Sequence, residues 1–341
     1  LKQFLLQAGL ALVLTVQPAE SQPADKLSIQ DAVRIALETN PDIVKAHKEI
    51  EAADGRILQA GRIPNPELGL AWNEAPSLLH LGDADERDIG ISQAIEFPTK
   101  RSHRVGVASA DKRIAELKVE SMKRLVTSSV KRAYIALLFA QQVAANLQDQ
   151  QKLLTDFQSL VTSRFESGQS TYLDVVRVKV EIARINNELL EALRGVRLKE
   201  AELNLLLGRG SERRILVTDS LAYVRLSARR DSLLLELSER SATLSIARYS
   251  LDRHEESLSL AQTSYLPDFS IGLFHQRRAG GPPFHLNNFN GTTSSSLGFH
   301  FGVSIPLWFW QEPKGLVQEA SALRDIASVT LQQTERRVRA R

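Results

Sequence analysis

Gln59-Ala60-Gly61-Arg62-Ile63-Pro64-Asn65-Pro66-Glu67-Leu68-Gly69-Leu70 and Gln262-Thr263-Ser264-Tyr265-Leu266-Pro267-Asp268-Phe269-Ser270-Ile271-Gly272-Leu273 are the stretches that decide the fold. Laid over each other at an offset of 203 residues, they match at Gln, Pro, Gly and Leu. In each, proline stops a helical pattern and an alternating one begins. A second match, Ile89-Gly90-Ile91-Ser92 against Phe301-Gly302-Val303-Ser304, has an offset of 212, which gives the second hairpin a loop nine residues longer. The chain reads as a tandem duplication.

Four strands follow from the alternation. Leu68, Leu70 and Trp72 face away from Gly69, Ala71 and Asn73; Ile89, Ile91 and Ile95 from Gly90, Ser92 and Ala94. Phe269, Ile271 and Leu273 alternate with Ser270, Gly272 and Phe274, and Leu297, Phe299, Phe301, Val303 and Ile305 with Gly298, His300, Gly302 and Ser304. Strands of roughly nine residues, apolar on one face and small or polar on the other, fit the lipid-out, lumen-in pattern of a membrane barrel. Four such strands cannot close, and an open edge in hydrocarbon leaves backbone groups unpaired at several kcal/mol each. Identical copies must therefore complete the wall, two giving 8 strands and three giving 12. Trp308, Phe309 and Trp310 at a strand end suit an interfacial aromatic girdle. The polar segment with Asp83, Asp85, Glu86, Arg87 and Asp88 lacks the Gly and distal Glu of a calcium loop and reads as a solvated turn.

Helices occupy the rest. Ser28 caps a short helix that Asn40-Pro41 ends, and another runs to about Arg62. From Pro98 to Gly168 nothing stops a helix of ~100 Å at 1.5 Å per residue, wider than any single globular core. Ser167-Gly168-Gln169-Ser170 marks a tight turn, and a returning helix spans about Thr171 to Leu207. It carries two stripes, Leu173, Val176, Val180, Ala183, Leu190 and Val175, Val178, Ile182, Ile185, Leu189, Leu193, Val196, Leu203. Two stripes call for neighbours on two sides, as in a closed ring of helices.

The organisation expected is a signal peptide over 1–21, a first repeat over 22–230 and a second over 231–341. The first comprises short helices at 28–62, a β-hairpin at 66–96, a long helical hairpin at 98–208 and an irregular connecting segment at 209–230. The second comprises helices at 231–262, a hairpin at 267–307 and the start of a long helix at 313–341, where the repeat stops short of its own helical hairpin. The fold class is mainly α with a small antiparallel β part. The leader reading rests on the apolar run Phe4 to Val16 after Lys2, followed by the small residues Ala19 and Ser21.

Composition removes other classes. With no cysteine among 341 residues, disulfide frameworks, thiol catalysis and Cys-ligated metals are excluded. A net charge of +3 from 43 basic and 40 acidic residues gives no nucleic-acid footprint. His254-Glu255-Glu256 lacks the second histidine of a zinc-protease helix, and neither a phosphate loop nor a nucleophile elbow occurs. Catalytic residues, cofactors and metal ligands are accordingly not expected.

Taken together, Ala36-Leu37-Glu38-Thr39-Asn40-Pro41, Pro64-Asn65-Pro66, Ile91-Ser92-Gln93 and above all Arg164-Phe165-Glu166-Ser167-Gly168-Gln169-Ser170-Thr171-Tyr172-Leu173-Asp174-Val175 give the chain its resemblance to the outer-membrane efflux (TolC) family. Pro64-Asn65-Pro66 and Glu96-Phe97-Pro98 look most like its heavy-metal or cation branch. The resemblance implies a homotrimer with a 12-stranded barrel in outer-membrane lipid and a periplasmic helical tunnel. It further implies docking on a periplasmic adaptor and an inner-membrane pump, in efflux or type I secretion. Arg164, Phe165, Gly168, Gln169, Ser170 and Leu173 match the turn that meets the adaptor, and Asp174 an acid that latches the closed tip onto a basic residue of the second hairpin. Leu68, Leu70, Trp72, Ile89, Ile91, Ile271, Leu273, Phe299, Phe301 and Val303 would face lipid, with Trp308 and Trp310 at the interface. The alternative is the adaptor itself, which also has a long helical hairpin but should lack duplicated lipid-facing strands.

Overall fold

The computed structural model describes residues 25–73, 86–223, 225, 241–278 and 294–340. The expected leader at 1–21, the short helix at about 231–239, and Asp83 and Asp85 of the acidic turn lie outside the described residues. In chain order the elements are β1 (Asp25–Leu27), α1 (Ile29–Thr39), α2 (Pro41–Ala60), β2 (Glu67–Asn73), β3 (Glu86–Ile95), α3 (Pro98–Glu166), α4 (Tyr172–Leu206), β4 (Ile215–Val217), α5 (Ala242–Gln262), β5 (Asp268–Arg278), β6 (Ser294–Ser304) and α6 (Glu312–Ala340).

Local chemistry accounts for most boundaries. Ser28 Oγ accepts from Asp31 N at 3.2 Å and starts α1; Asn40, in extended conformation before Pro41, ends it. Ser241 caps α5 in the same way, accepting from Leu244 N at 3.3 Å. Within the 69 residues of α3 there is no proline after Pro98, and the single glycine, Gly106, lies where a Cβ would press to 2.8 Å from Glu256 Oε2. Close approach of α5 explains that glycine.

Two compact units divide within α3, between Leu125 and Val126. In the unit built from Val126–Val224 and the chain up to Asn40, the fully buried Val130, Tyr134, Leu137, Leu203, Leu207 and Ile215 form the core, with Ala32 and Ala36 of α1. Gln151 Nε2 donates to Asn186 Oδ1 at 2.7 Å and ties α3 to α4. The expectation of an irregular segment at 209–230 needs correction: Ile215–Val217 forms β4, paired in parallel with β1. Buried Glu200 accepts from Ile215 N at 3.2 Å, and Gln141 Nε2 donates to Ile215 O at 2.6 Å, so side chains complete the edges of this two-stranded ribbon.

The other unit holds α2, the first part of α3, α5, α6 and a four-stranded antiparallel sheet of order β2-β3-β5-β6. The two expected hairpins thus join through β3 and β5, from Glu86 opposite Arg278 to Ile95 opposite Phe269. Glu86, Arg87 and Asp88, read from sequence as part of a turn, are the first residues of β3. Glu86 is buried because Gln276 Nε2 donates to it and Arg278 Nη2 lies 3.4 Å away, a cross-strand compensation that local sequence cannot reveal. At the other end of the strands, Arg104 clamps Glu96 through two hydrogen bonds of 2.8 and 2.9 Å and donates to Ala60 O. Lys100 Nζ sits 2.8 Å from both carboxylate oxygens of Asp268. Further pairs, Lys112–Asp54 at 2.7 Å and Arg253–Asp111 at 2.7 Å, link α3 to α2 and α5.

Candidate functional site

The sheet gathers its large apolar side chains on one face, with Arg87, Gln93, His275 and Arg277 among them toward the strand ends and edges. Residues directly opposite in an antiparallel ladder point to the same face. The register Leu68↔Ile91↔Leu273↔Phe299 and Leu70↔Ile89 therefore puts Leu68, Leu70, Trp72, Ile89, Ile91, Ile271, Leu273, Phe299, Phe301 and Val303 on one side, joined by Leu297 and Phe269. All ten residues expected to face lipid share that side. Among the described residues nothing covers them: Leu68 is 69% exposed, Leu273 56%, Phe299 79%. Phe269 and Phe301 stack across strands with centroids 6.0 Å apart. A soluble sheet would have laid this face on its helices. Among the described residues, neither β2 nor β6 has a partner on its outer edge.

The opposite face presents Glu67, Gly69, Ala71, Glu86, Asp88, Gly90, Ser92, Ser270, Gly272, Phe274, Gln276, Arg278, Gly298, His300 and Gly302. Its charge is surplus negative, with Glu67, Glu86 and Asp88 against Arg278, which stands opposite Glu86. Beyond β6, Ile305, Leu307, Trp308, Phe309 and Trp310 are all more than half exposed, and Phe309 and Trp310 meet edge to face at 5.2 Å. Trp308 and Trp310 are thus placed at the strand end, outside any core.

The second candidate is the turn between α3 and α4. Gly168 has φ 73°, Gln169 N donates to Arg164 O at 2.8 Å and Gly168 N to Phe165 O at 3.0 Å, the two bonds of a Schellman cap. Ser170 Oγ reaches back to Val161 O at 3.3 Å. Thr171 caps α4 and Asp174 closes a capping box: Thr171 Oγ1 accepts from Asp174 N, while Asp174 Oδ2 takes Thr171 N at 3.1 Å and Thr171 Oγ1 at 2.7 Å. These bonds to Thr171, with Arg177 behind them, hold the Asp174 carboxyl below its ordinary pKa. Phe165 and Tyr172 pack at 5.9 Å and remain exposed, as does Leu173 at 55%. The turn brings Arg164, Phe165, Gly168, Gln169, Ser170, Leu173 and Asp174 together as one exposed cap. Sequence reading missed the capping box, although Thr171-x-x-Asp174 before an apolar run is its signature.

On α4, Val175, Ile185, Val196 and Leu203 are buried, while Val180 and Leu190 of the other stripe are 63% and 55% exposed. Among the described residues the stripe with Val175 and Ile185 is the better covered, although Leu193 on it is 47% exposed. Among the described residues, no group of three or more His, Asp or Glu side chains is arranged to hold a metal ion, and no helix is long and apolar enough to cross a membrane.

Comparison with known proteins agrees with this geometry. Over 315 residues the chain is 23% identical to the cobalt-zinc-cadmium resistance protein CzcC of Cupriavidus metallidurans, covering 92% of this chain and 70% of that one. The fold is that of the outer membrane protein VceC of Vibrio cholerae, with a TM-score of 0.65 at 20% identity over 91% of this chain and 75% of VceC. It is equally that of CusC, with a TM-score of 0.69 at 15% identity over 95% and 76%. The adaptor reading of the helical hairpin is not favoured by any of these likenesses. The sequence profile described as Outer membrane efflux protein matches residues 32–209, and the chain belongs to that family of the outer membrane.

Proposed function

We propose that the chain is one third of an exit duct, a homotrimer whose three four-stranded sheets close a 12-stranded barrel through which cargo leaves passively. The observation that carries this reading is the uncovered apolar face of an edge-open sheet: in water it is an aggregation surface, in lipid the outer wall of a barrel. The two repeats, 22–230 and 231–341, supply one hairpin each, β2–β3 and β5–β6, and Trp308 and Trp310 sit in the lipid–water interface. The exposed stripe of α4, with Val180 and Leu190, packs on a neighbouring copy.

The capped turn from Arg164 to Leu173 meets a periplasmic adaptor that joins the duct to an inner-membrane pump. Asp174 contributes to closing the tip through Oδ1, which lies 3.9 Å from Arg177 Nη1. The cargo class favoured is metal cations. The likeness to a cobalt-zinc-cadmium resistance protein and the surplus of carboxylates on the polar face both support it. The protein performs no catalysis in this role.

Fractionation tests the central claim. The protein should partition with outer membranes, migrate as a heat-sensitive trimer and open ion-conducting pores in planar bilayers; a soluble monomer would sink it. Deleting the gene and challenging cells with cobalt, zinc, cadmium, dyes and antibiotics tests the cargo, with hypersensitivity confined to metals expected.

A further inference from the structure

Among the described residues, the polar face of the sheet carries two ring side chains, Phe274 and His300, and each lies on a glycine of the adjoining strand. His300 is opposite Gly272 and Phe274 opposite Gly298. A Cβ built on Gly272 would collide with the imidazole, lying 2.8 Å from both Nδ1 and Nε2. One on Gly298 would collide with the Phe274 ring tip and lie 2.8 Å from Cε1, and one on Gly90 would lie 3.0 Å from Phe274 Cβ. The arrangement is reciprocal: β5 sends a ring over a β6 glycine and β6 sends a ring over a β5 glycine. Glycine inside a strand weakens it and marks a close approach, which an aromatic ring laid across the bare backbone offsets. Around the pair the same face is built of small side chains, Gly69, Ala71, Ser92, Ala94, Ser270 and Gly302.

We infer that Gly272 and Gly298 set the calibre of the passage: they let His300 and Phe274 lie flat on the wall, so that the two ring side chains of the polar face take no room from the lumen. This rests on the proposed duct, with the polar face turned inward. The glycines act as positioning residues, since each fixes the tilt of a ring on the next strand rather than touching cargo.

The test is single-channel conductance of the purified oligomer in planar bilayers. Gly272→Ala and Gly298→Ala should each lower conductance by lifting a ring into the lumen. His300→Ala should rescue Gly272→Ala, and Phe274→Ala should rescue Gly298→Ala, each restoring at least the wild-type value. Gly69→Ala is the matched control, because its Cβ meets nothing nearer than 3.9 Å, and it should conduct as wild type. Wild-type conductance in both glycine variants, or a loss that persists after the facing ring is removed, would overturn the inference. Should Gly272→Ala fail to assemble, assembly and conduction of Gly272→Ala/His300→Ala support it, and failure of that double variant overturns it. A wild-type protein that opens no pore overturns the duct reading itself, and this inference with it.

Discussion

The C-termini of α3 and α4 are closed by the same Schellman turn, with Gly168 at φ 73° and Gly208 at φ 65°, and their surroundings are opposite. At Gly208 the last carbonyls of α4 are taken by the chain itself: Asn40 Nδ2 donates to Leu206 O at 2.8 Å and Thr39 Oγ1 to Leu207 O at 2.7 Å. Asn204 holds Arg213 O at 2.7 Å and Arg209 pairs with Asp25 at 3.0 Å, over a fully buried Leu207. At Gly168 a Cβ would meet nothing, and Phe165, Tyr172 and Leu173 stand in solvent. Both ends satisfy their own backbone, so the cap does not distinguish them. What distinguishes them is whether the chain packs against the end, as at Gly208, or leaves its two packed aromatics exposed, as the proposed adaptor contact at Gly168 requires.

The sharpest way to break this comparison is to truncate one leucine near each end. Leu203, fully buried beside the α4 terminus, should cost about 2–5 kcal/mol when changed to Ala, read as a lower midpoint in urea. Leu173→Ala, at an exposed site, should stay within about 0.5 kcal/mol while weakening capture of the adaptor at least tenfold. Equal destabilisation of the two would mean that the tip is an ordinary piece of core.

A second test uses pH. Tyr134, almost wholly buried, places its hydroxyl 2.6 Å from Asp219 Oδ2 and 2.9 Å from Leu27 O, and burial together with the adjacent carboxylate pushes it up to about 12. A raised tyrosine pKa stabilises the fold below the unfolded value near 10 and loses that contribution as pH rises through 12. The loss is roughly 1.4 kcal/mol per pH unit, about 3 in all. Asp219 moves the other way: the bond from Tyr134 and one from Ile29 N at 2.8 Å depress its pKa. Its contribution is present above the unfolded carboxylate value near 4 and fades as pH falls through the folded one. Tyr134→Phe should flatten the alkaline limb of a urea-midpoint profile between pH 10 and 12 and shrink the acid one. An unchanged alkaline limb would remove Tyr134 as its source. No such limb should originate at the tip, where no buried titrating pair exists among the described residues.

Gly168→Ala and Gly208→Ala then sharpen the comparison at the backbone. A Cβ at positive φ costs about 1–2 kcal/mol wherever it occurs, so both variants should lose helix-end protection in hydrogen exchange to a similar degree. Only the Gly208 variant should also loosen amides in β1 and β4, because its turn positions Arg209 on Asp25.

Sequence reading recovered what is periodic and missed what is short or distant. Of the helices expected at 231–262, α5 is found over Ala242–Gln262, because Ser241 and Pro267 punctuate it locally. The faces of the sheet were legible because a strand's period of two needs only five or six residues to show. β1 and β4 have three residues each and pair across 190 positions, as Asp25 opposite Ile215, so no window holds their signal. Glu86 to Asp88 read as a turn because three charges rarely begin a strand; Gln276 and Arg278 on β5 compensate Glu86, and Asn73 on β2 donates to Asp88 at 3.3 Å. Tyr134 lies within the helix expected from Pro98, but its partner Asp219 lies 85 residues on, beyond any local pattern. At the tip the reverse happened: the capping box was written in four consecutive residues, and the acid was read for its family role alone.

That dual reading of Asp174 gives the smallest and most discriminating effect. Thr171→Ala removes the hydroxyl that accepts from Asp174 N and donates to Asp174 Oδ2. Loss of a threonine N-cap is worth about 1 kcal/mol, so amides in the first turn of α4 should exchange roughly fivefold faster at pH 7. The lowered pKa of Asp174 makes the box strongest above the unfolded carboxylate value and weaker as pH falls through the folded one. The gap between wild type and Thr171→Ala should therefore narrow toward pH 3. Asp174→Asn, which keeps an acceptor and removes the charge, should reproduce the low-pH behaviour at pH 7. If Asp174→Asn changes pore closure while leaving exchange in this turn untouched, the carboxylate acts across the tip rather than within it. If exchange quickens and closure is unaltered, Asp174 is a helix cap and the latch belongs to another residue.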